Sequence, residues 1–379
     1  MLRFYKMIAS FGALAYVATP AFAHHPGAPG NATGAGPINT ISASTLQEGR
    51  GVAGIVVDYI DMDPLSDAEL VSAALAAHEA GDDHAHVHSL DSITSPSINF
   101  AYGLTNDIMI SVRLPYVKRR GIREGHVHAH EEEGGGHEEH EDEHEHEEEA
   151  EAEVHDGGDS SGIGDLSLLG QWRFLNNQAS GTEAAVLLGL KTPTGKTSES
   201  DSSGERFDAE FQPGSGSWDG MFGLALTQRA GLWSFDASAL YTLVSEGTQD
   251  TDLGDRFNYG VAVSYRLFAL SQDSGPMFHG AKPHDHDADG HGGHIHAEAS
   301  GPALDLVLEL NGEWHDKQET AGERDDNSGG HTLYISPGLR LSQGNWSGFA
   351  SVGIPIVNNL NGIQAEPDWR ILTGVSMGF

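Results

Sequence analysis

Seventeen histidines of this 379-residue chain fall in three clusters, each threaded with carboxylates. His84, His86 and His88 follow Asp82 and Asp83. His126, His128, His130, His137, His140, His144, His146 and His155 lie among sixteen Asp and Glu residues between Glu124 and Asp156, a stretch without Lys or Arg. His279, His284, His286, His291, His294 and His296 accompany Asp285, Asp287 and Asp289. In extended backbone, residues two apart project to one side, roughly 6.5–7 Å between Cα atoms. Two imidazoles so placed can converge on one borderline cation, with a carboxylate completing the shell, which suits Zn²⁺, Ni²⁺, Co²⁺ or Cu²⁺. The surrounding acids raise the local cation concentration before any bond forms. The competing reading is a solvated acidic coat, but repeated His-x-His spacing in three links favours metal contact. Nothing here fixes one closed cage, so binding is expected to be weak and multisite, with no cofactor required.

The elements that carry these clusters alternate with period two. Trp233, Phe235, Ala237, Ala239, Tyr241 and Leu243 oppose Ser234, Asp236, Ser238 and Thr242. Phe257, Tyr259, Val261, Val263, Tyr265 and Leu267 oppose Asn258, Gly260, Ser264 and Arg266, and Leu304, Leu306, Leu308, Leu310 and Trp314 oppose Asp305, Glu309, Asn311 and Glu313. Nine further segments follow, near 50–61, 95–104, 107–118, 163–176, 182–193, 216–229, 330–342, 345–356 and 366–379. The last runs from Trp369 to Phe379 and ends on an aromatic residue, which resembles the final strand that bacterial outer-membrane barrels present to their insertion machinery. Trp172, Trp218, Trp233, Trp314, Trp346 and Trp369 recur near segment ends, as interfacial girdles require. The expected fold is all-β, a transmembrane antiparallel up-and-down barrel of about 12 strands with long extracellular loops.

Arg3 and Lys6, the apolar stretch Met7 to Val17 and Ala21-Phe22-Ala23 make residues 1–23 an expected signal peptide. No later apolar run is long enough for a membrane helix, and the chain has no cysteine. Beyond residue 23 there remain 18 basic residues against 56 acidic ones, a net of −38 with histidines neutral. Such a surface repels nucleic acid, whose phosphates need clustered Lys and Arg. The expected division is a periplasmic segment 24–48 and a barrel 49–379, with His- and acid-rich loops near 61–94, 119–162 and 269–301. Short links fall after the second, fourth, sixth and tenth segments, which sets the short-turn end and both termini in the periplasm. In the first long loop, Ser66 and Glu69 form a capping box ahead of a helix over 66–79. Arg113, Arg173, Asp236, Arg266, Asp305, Glu309, Arg340 and Arg370 take the lumen-facing phase, either packing a narrow interior or forming a charged constriction.

Two motifs tempt an enzymatic reading. Gly158-Asp159-Ser160-Ser161-Gly162 has the nucleophile spacing, but that chemistry needs a strand entering and a helix leaving; here an acidic loop is expected to enter and a strand to leave. Thr192-Pro193-Thr194-Gly195-Lys196 lacks the first glycine and the following helix of a phosphate loop. No catalysis is expected.

Ile41-Ser42-Ala43-Ser44-Thr45-Leu46, Ala101-Tyr102-Gly103-Leu104-Thr105, Arg113-Leu114-Pro115-Tyr116-Val117, Gly158 to Gly164 with Asp165-Leu166, Leu188 to Gly195, and Gln212-Pro213-Gly214-Ser215-Gly216 resemble the outer-membrane transporter family named for the MetA pathway of phenol degradation. The resemblance implies a single-chain barrel in the bacterial outer membrane and suggests aromatic uptake, with no catalytic residues. The histidine-rich insertions depart from the plain pattern and point to a channel handling divalent transition metals. A channel for small aromatic or hydrophobic compounds, and a metal-buffering barrel without transport, are the alternatives. The expected partners are outer-membrane lipid, the insertion machinery, and metal ions or a small-molecule permeant, in an oligomeric state the sequence leaves open.

Overall fold

Period-two alternation satisfies two solvents at once when a sheet closes on itself, and this chain does so. The computed structural model describes residues 35–79, 86–128, 151–269 and 302–379. Its main sheet has 14 strands. They are β1 (Gly51–Asp63), β2 (His86–Ser89), β3 (Ser92–Gly103), β4 (Ile108–His128), β5 (Glu151–Ile163), β6 (Ser167–Asn177), β7 (Thr182–Lys191), β8 (Asp219–Ala230), β9 (Trp233–Leu243), β10 (Arg256–Ala269), β11 (Ala303–His315), β12 (Gly330–Gln343), β13 (Trp346–Leu360) and β14 (Glu366–Gly378). All but β2 and β5 form a ring of antiparallel neighbours, closed where Val52 of β1 faces Gly378 of β14. Twelve strands therefore make the barrel, and every alternating segment read from the sequence lies in one of them.

Side-chain exposure follows the pleat. On β11, Leu306, Leu308 and Leu310 are exposed, whereas Asp305 and Glu309 are each 1% exposed. On β9, Trp233 and Phe235 face out and Ser234 and Asp236 face in. An outward belt of Ile98, Leu188, Leu224, Val261 and Ile354 has no protein partner to cover it and meets hydrocarbon. Trp172, Trp233 and Trp346 ring the short-turn end, and Trp218, Trp314 and Trp369 the other. None of the described helices could cross a membrane; the strands do.

Two expectations need correction. The loop expected over 119–162 is strand at both of its ends. β4 continues past the lipid belt to His128, and β5 pairs with it from Tyr116–Ile163 to His128–Glu151, forming a ribbon above the barrel. The ribbon extends past the lipid belt, and its apolar residues Val127, Ala152 and Val154 pack on the Leu70 cluster instead of facing hydrocarbon. Gly158, at φ +82°, and Gly121, at φ +62°, sit where the ladder shifts register. The supposed nucleophile stretch is thus a strand with a bulge glycine. The second correction concerns the N-terminal segment. Over its described part, 35–48, it lies inside the barrel rather than free in the periplasm.

The helix α1 (Asp67–Glu79) leans on the ribbon, with Leu70, Ala73 and Ala74 buried against Val87. Its capping box is formed: Ser66 N–H donates to Glu69 Oε2 at 2.8 Å, and Glu69 N–H donates to Ser66 Oγ at 3.3 Å. Ser66→Ala is expected to speed amide exchange at residues 67–70 by roughly fivefold, the weight of an ordinary N-cap, while the barrel's melting stays unchanged.

Candidate functional site

The lower lumen is filled by the chain's own N-terminal segment. Ile38, Asn39 and Thr40 donate backbone N–H groups to the Glu309 carboxylate at 2.9–3.2 Å. The Arg340 guanidinium binds the Pro37 carbonyl. Further along, Ile41 N–H meets Ser238 Oγ, Ala43 N–H meets Thr227 Oγ1, and Ser44 Oγ donates to Glu183 Oε2 at 2.6 Å. Ile41 and Ala43 pack on Leu169, Ala185, Leu187, Met221 and Leu240. A Cβ at Gly103 would collide with the Gln47 carbonyl, so this glycine lets the plug leave along the wall. Polar barrel walls thus satisfy the backbone of an irregular segment that has no ladder of its own.

The lumen wall beside and above the plug is laced with ion pairs. Arg370 Nε donates to Asp58 Oδ1 at 2.8 Å, with Arg113 in electrostatic reach of both. Arg266 grips Asp305 through two nitrogens at 2.7 and 3.0 Å. Arg173 and Arg229 share Glu183, each at 2.7 Å. Asp236 accepts from Thr227 and Ser234. Arg113, Asp236, Asp305, Glu309, Arg340 and Arg370 are all buried, and Arg173 and Arg266 half-buried. All eight residues expected on the lumen face occupy the interior side of the wall.

The link 192–218 folds inward as a cap. Phe207, Ala209 and Phe211 are buried, with the two phenylalanines packed against Ile60, Leu90, Ile93 and Ile122. Arg119 donates to the carbonyls of Phe211 and Gln212, and buried Ser160 donates Oγ to the Phe211 carbonyl at 2.6 Å. Ser160 is a cap anchor. Asp165 holds both ends of the cap, accepting from Gly195 N–H and Ser215 N–H at 2.8 Å each while Lys191 approaches at 3.3 Å. A Cβ at Gly195 would lie 2.5 Å from the Gly214 Cα. Three of the motifs that carry the family resemblance therefore meet at Asp165.

At the outer mouth His88 stands opposite Glu124 across the β2–β4 ladder. Its Nε2 lies 3.6 Å from Glu124 Oε2 and 3.5 Å from Asp208 Oδ2 on the cap, and its Nδ1 lies 3.6 Å from Glu210 Oε1. Burial works against the imidazolium, but Glu124, Asp208 and Glu210 outweigh it and hold the pKa up at about 9. Burial and then Asp208 push Glu210 up to about 8, with His88 opposing. Burial likewise raises Asp325, on the neighbouring link, to about 7.

Of the histidines considered as metal ligands, His88 is brought among carboxylates. His155 pairs with Asp201 at 2.6 Å on the flank of the ribbon. His126 is half-buried on β4, opposite His86 in backbone register, and His128 ends that strand. His84, His130, His137, His140, His144, His146, His279, His284, His286, His291, His294 and His296 lie outside the described residues. Reading for imidazole missed Asp208 and Glu210, whose i, i+2 spacing on the cap was the available signal. It also missed Arg119.

Beneath the cap lies a cavity lined by Ile60, Ile93, Pro115, Val117 and Met221 together with Arg113, Arg119, Lys191 and Arg256 and the carboxylates Asp58, Asp165, Glu210 and Asp219. Its lining combines apolar side chains with guanidinium and ammonium groups, of which Lys191 is paired with Asp165 and Asp219.

A closed twelve-strand cylinder with an apolar belt, aromatic girdles and a charged interior defines a bacterial outer-membrane β-barrel. Residues 109–294 match the model of the family described as "Putative MetA-pathway of phenol degradation", which bears out the family resemblance. Among solved structures, an outer membrane channel from Pseudomonas putida F1 is similar at 14% identity and a TM-score of 0.49, over 89% of this chain and 98% of that one. A Pseudomonas aeruginosa FadL homologue is similar at 9% identity and a TM-score of 0.37, over 97% and 99% of the two chains. The β domain of the Bordetella autotransporter BrkA follows at 8% identity and 0.40, over 88% and 100%. No curated protein matches in sequence.

Proposed function

We propose that this outer-membrane channel passes small aromatic compounds bearing a hydroxyl or carboxylate group. The observation that carries this reading is the cavity beneath the cap. Ile60, Ile93, Val117 and Met221 offer apolar surface to a ring, while Arg113 and Arg119 offer donors to an oxygen substituent. The phenol-degradation family supports the same substrate class. In proteoliposomes, 4-hydroxybenzoate should enter faster than glucose. Arg119→Ala, which also loosens the cap, should abolish that preference while raising total flux. Equal flux of the two solutes through the full chain would sink the proposal.

Passage of divalent transition metal is the second reading, favoured by the His88 group at the mouth. Against it, Asp58, Asp305 and Glu183 below are each held by arginine, which leaves a cation poor company in the wall. Zinc-sensitive dye trapped in the same vesicles separates the cases. Influx supports metal transport, and binding without influx supports a buffering barrel.

A further inference from the structure

We propose that the outer mouth holds a divalent transition-metal site in which His88, Asp208 and Glu210 are the ligands and Glu124 flanks the imidazole across the β2–β4 ladder. Bound metal would clasp the cap to β2. The inference goes beyond the proposed permeant and holds whichever solute the barrel passes.

Geometry comes first. Zn–N and Zn–O bonds of about 2.0–2.2 Å in a tetrahedron place neighbouring ligand atoms roughly 3.3–3.6 Å apart. His88 lies 3.5 Å from Asp208 through Nε2 and 3.6 Å from Glu210 through Nδ1. The ligand atoms of His88, Asp208 and Glu210 all lie within 4.8 Å of one another. A ligating histidine ordinarily keeps a further carboxylate beside its ring, which fixes tautomer and orientation; Glu124 stands there. Phe211 meets the imidazole edge-on at 5.1 Å and holds the ring plane.

The scaffold divides the labour. His88 and Glu124 are a cross-strand pair, so the ladder holds the imidazole beside a carboxylate before any metal arrives. Asp208 comes from the cap and is half-exposed, which supplies the entry path. Three carboxylates face one imidazole, with Asp325 close enough to feel its charge. A divalent cation offsets that excess, and it suits nitrogen with oxygen ligands better than Ca²⁺ or Mg²⁺, which favour all-oxygen shells.

The test must read this site alone, because the other histidines of the chain also meet added metal. The full chain in detergent is stripped with chelator, and amide exchange over residues 205–212 is followed as Zn²⁺ is added. Linkage predicts about tenfold slower opening at zinc ten times its Kd. His88→Ala and Asp208→Ala should each reduce the effect below about twofold, whereas His155→Ala should leave it intact. Asp208 is exposed enough that its variant keeps the fold even if His88→Ala disturbs the mouth. Zinc protection that survives in Asp208→Ala, or none in the parent chain, overturns the proposal.

Discussion

Removing residues 35–48 is expected to turn a nearly closed barrel into a steady, open pore, with single-channel conductance rising by an order of magnitude or so for a lumen of this strand number. The plug is not an independent domain. Its backbone is satisfied by wall residues, so its position depends on a few buried acceptors, chief among them Glu309. Charge-assisted hydrogen bonds contribute about 1.5–3 kcal/mol each, and a buried donor left without its acceptor costs a similar amount. Glu309→Ala strands three backbone N–H groups at once. Even the loss of one such bond moves the docked-to-undocked ratio by roughly tenfold or more. The point variant should therefore flicker between closed and open levels where the deletion stays open. Planar-bilayer recording reads both, with heat-modifiable migration confirming a folded barrel. A folded deletion variant that conducts like the full chain would show that the plug does not obstruct the lumen.

What could be read from the sequence was whatever a local rule demands. Leu306, Leu308 and Leu310 must face lipid while Asp305 and Glu309 must not, so β11 declares itself in ten residues. Ser66 and Glu69 are three apart, and the helix they cap was expected at its observed place. The plug escaped because its partners are remote: Ile38 meets Glu309 across 271 positions, and neither residue carries a mark of the other. The ribbon escaped because Lys118, Arg119, Arg120, Arg123 and Glu124 lie above the lipid, where no hydrocarbon boundary imposes alternation. The mouth site was half visible. His88 stood out for its chemistry, but its cap partners come from a link with no histidine, and only folding brings Asp208 and Glu210 to it.

The seam of the barrel offers the second large effect. Asp58 on β1 and Arg370 on β14 join the first strand to the last, both under 10% exposed, with Arg113 as a further buried charge beside them. Asp58→Ala leaves two guanidinium groups facing each other without their shared counter-ion. Breaking a buried pair by removing one partner costs about 3–5 kcal/mol, and here the repulsion between the two arginines adds to it. Arg370→Ala leaves Asp58 still beside Arg113, so its cost should be clearly smaller. The double variant should recover part of the Asp58→Ala loss, because the second change removes the charge stranded by the first. Urea midpoints of the refolded barrel, taken with the slope held constant, measure all three. The asymmetry is the decisive quantity. Equal losses for the two single variants would mean that Arg113 takes no share of Asp58, and that the seam is held by an isolated pair.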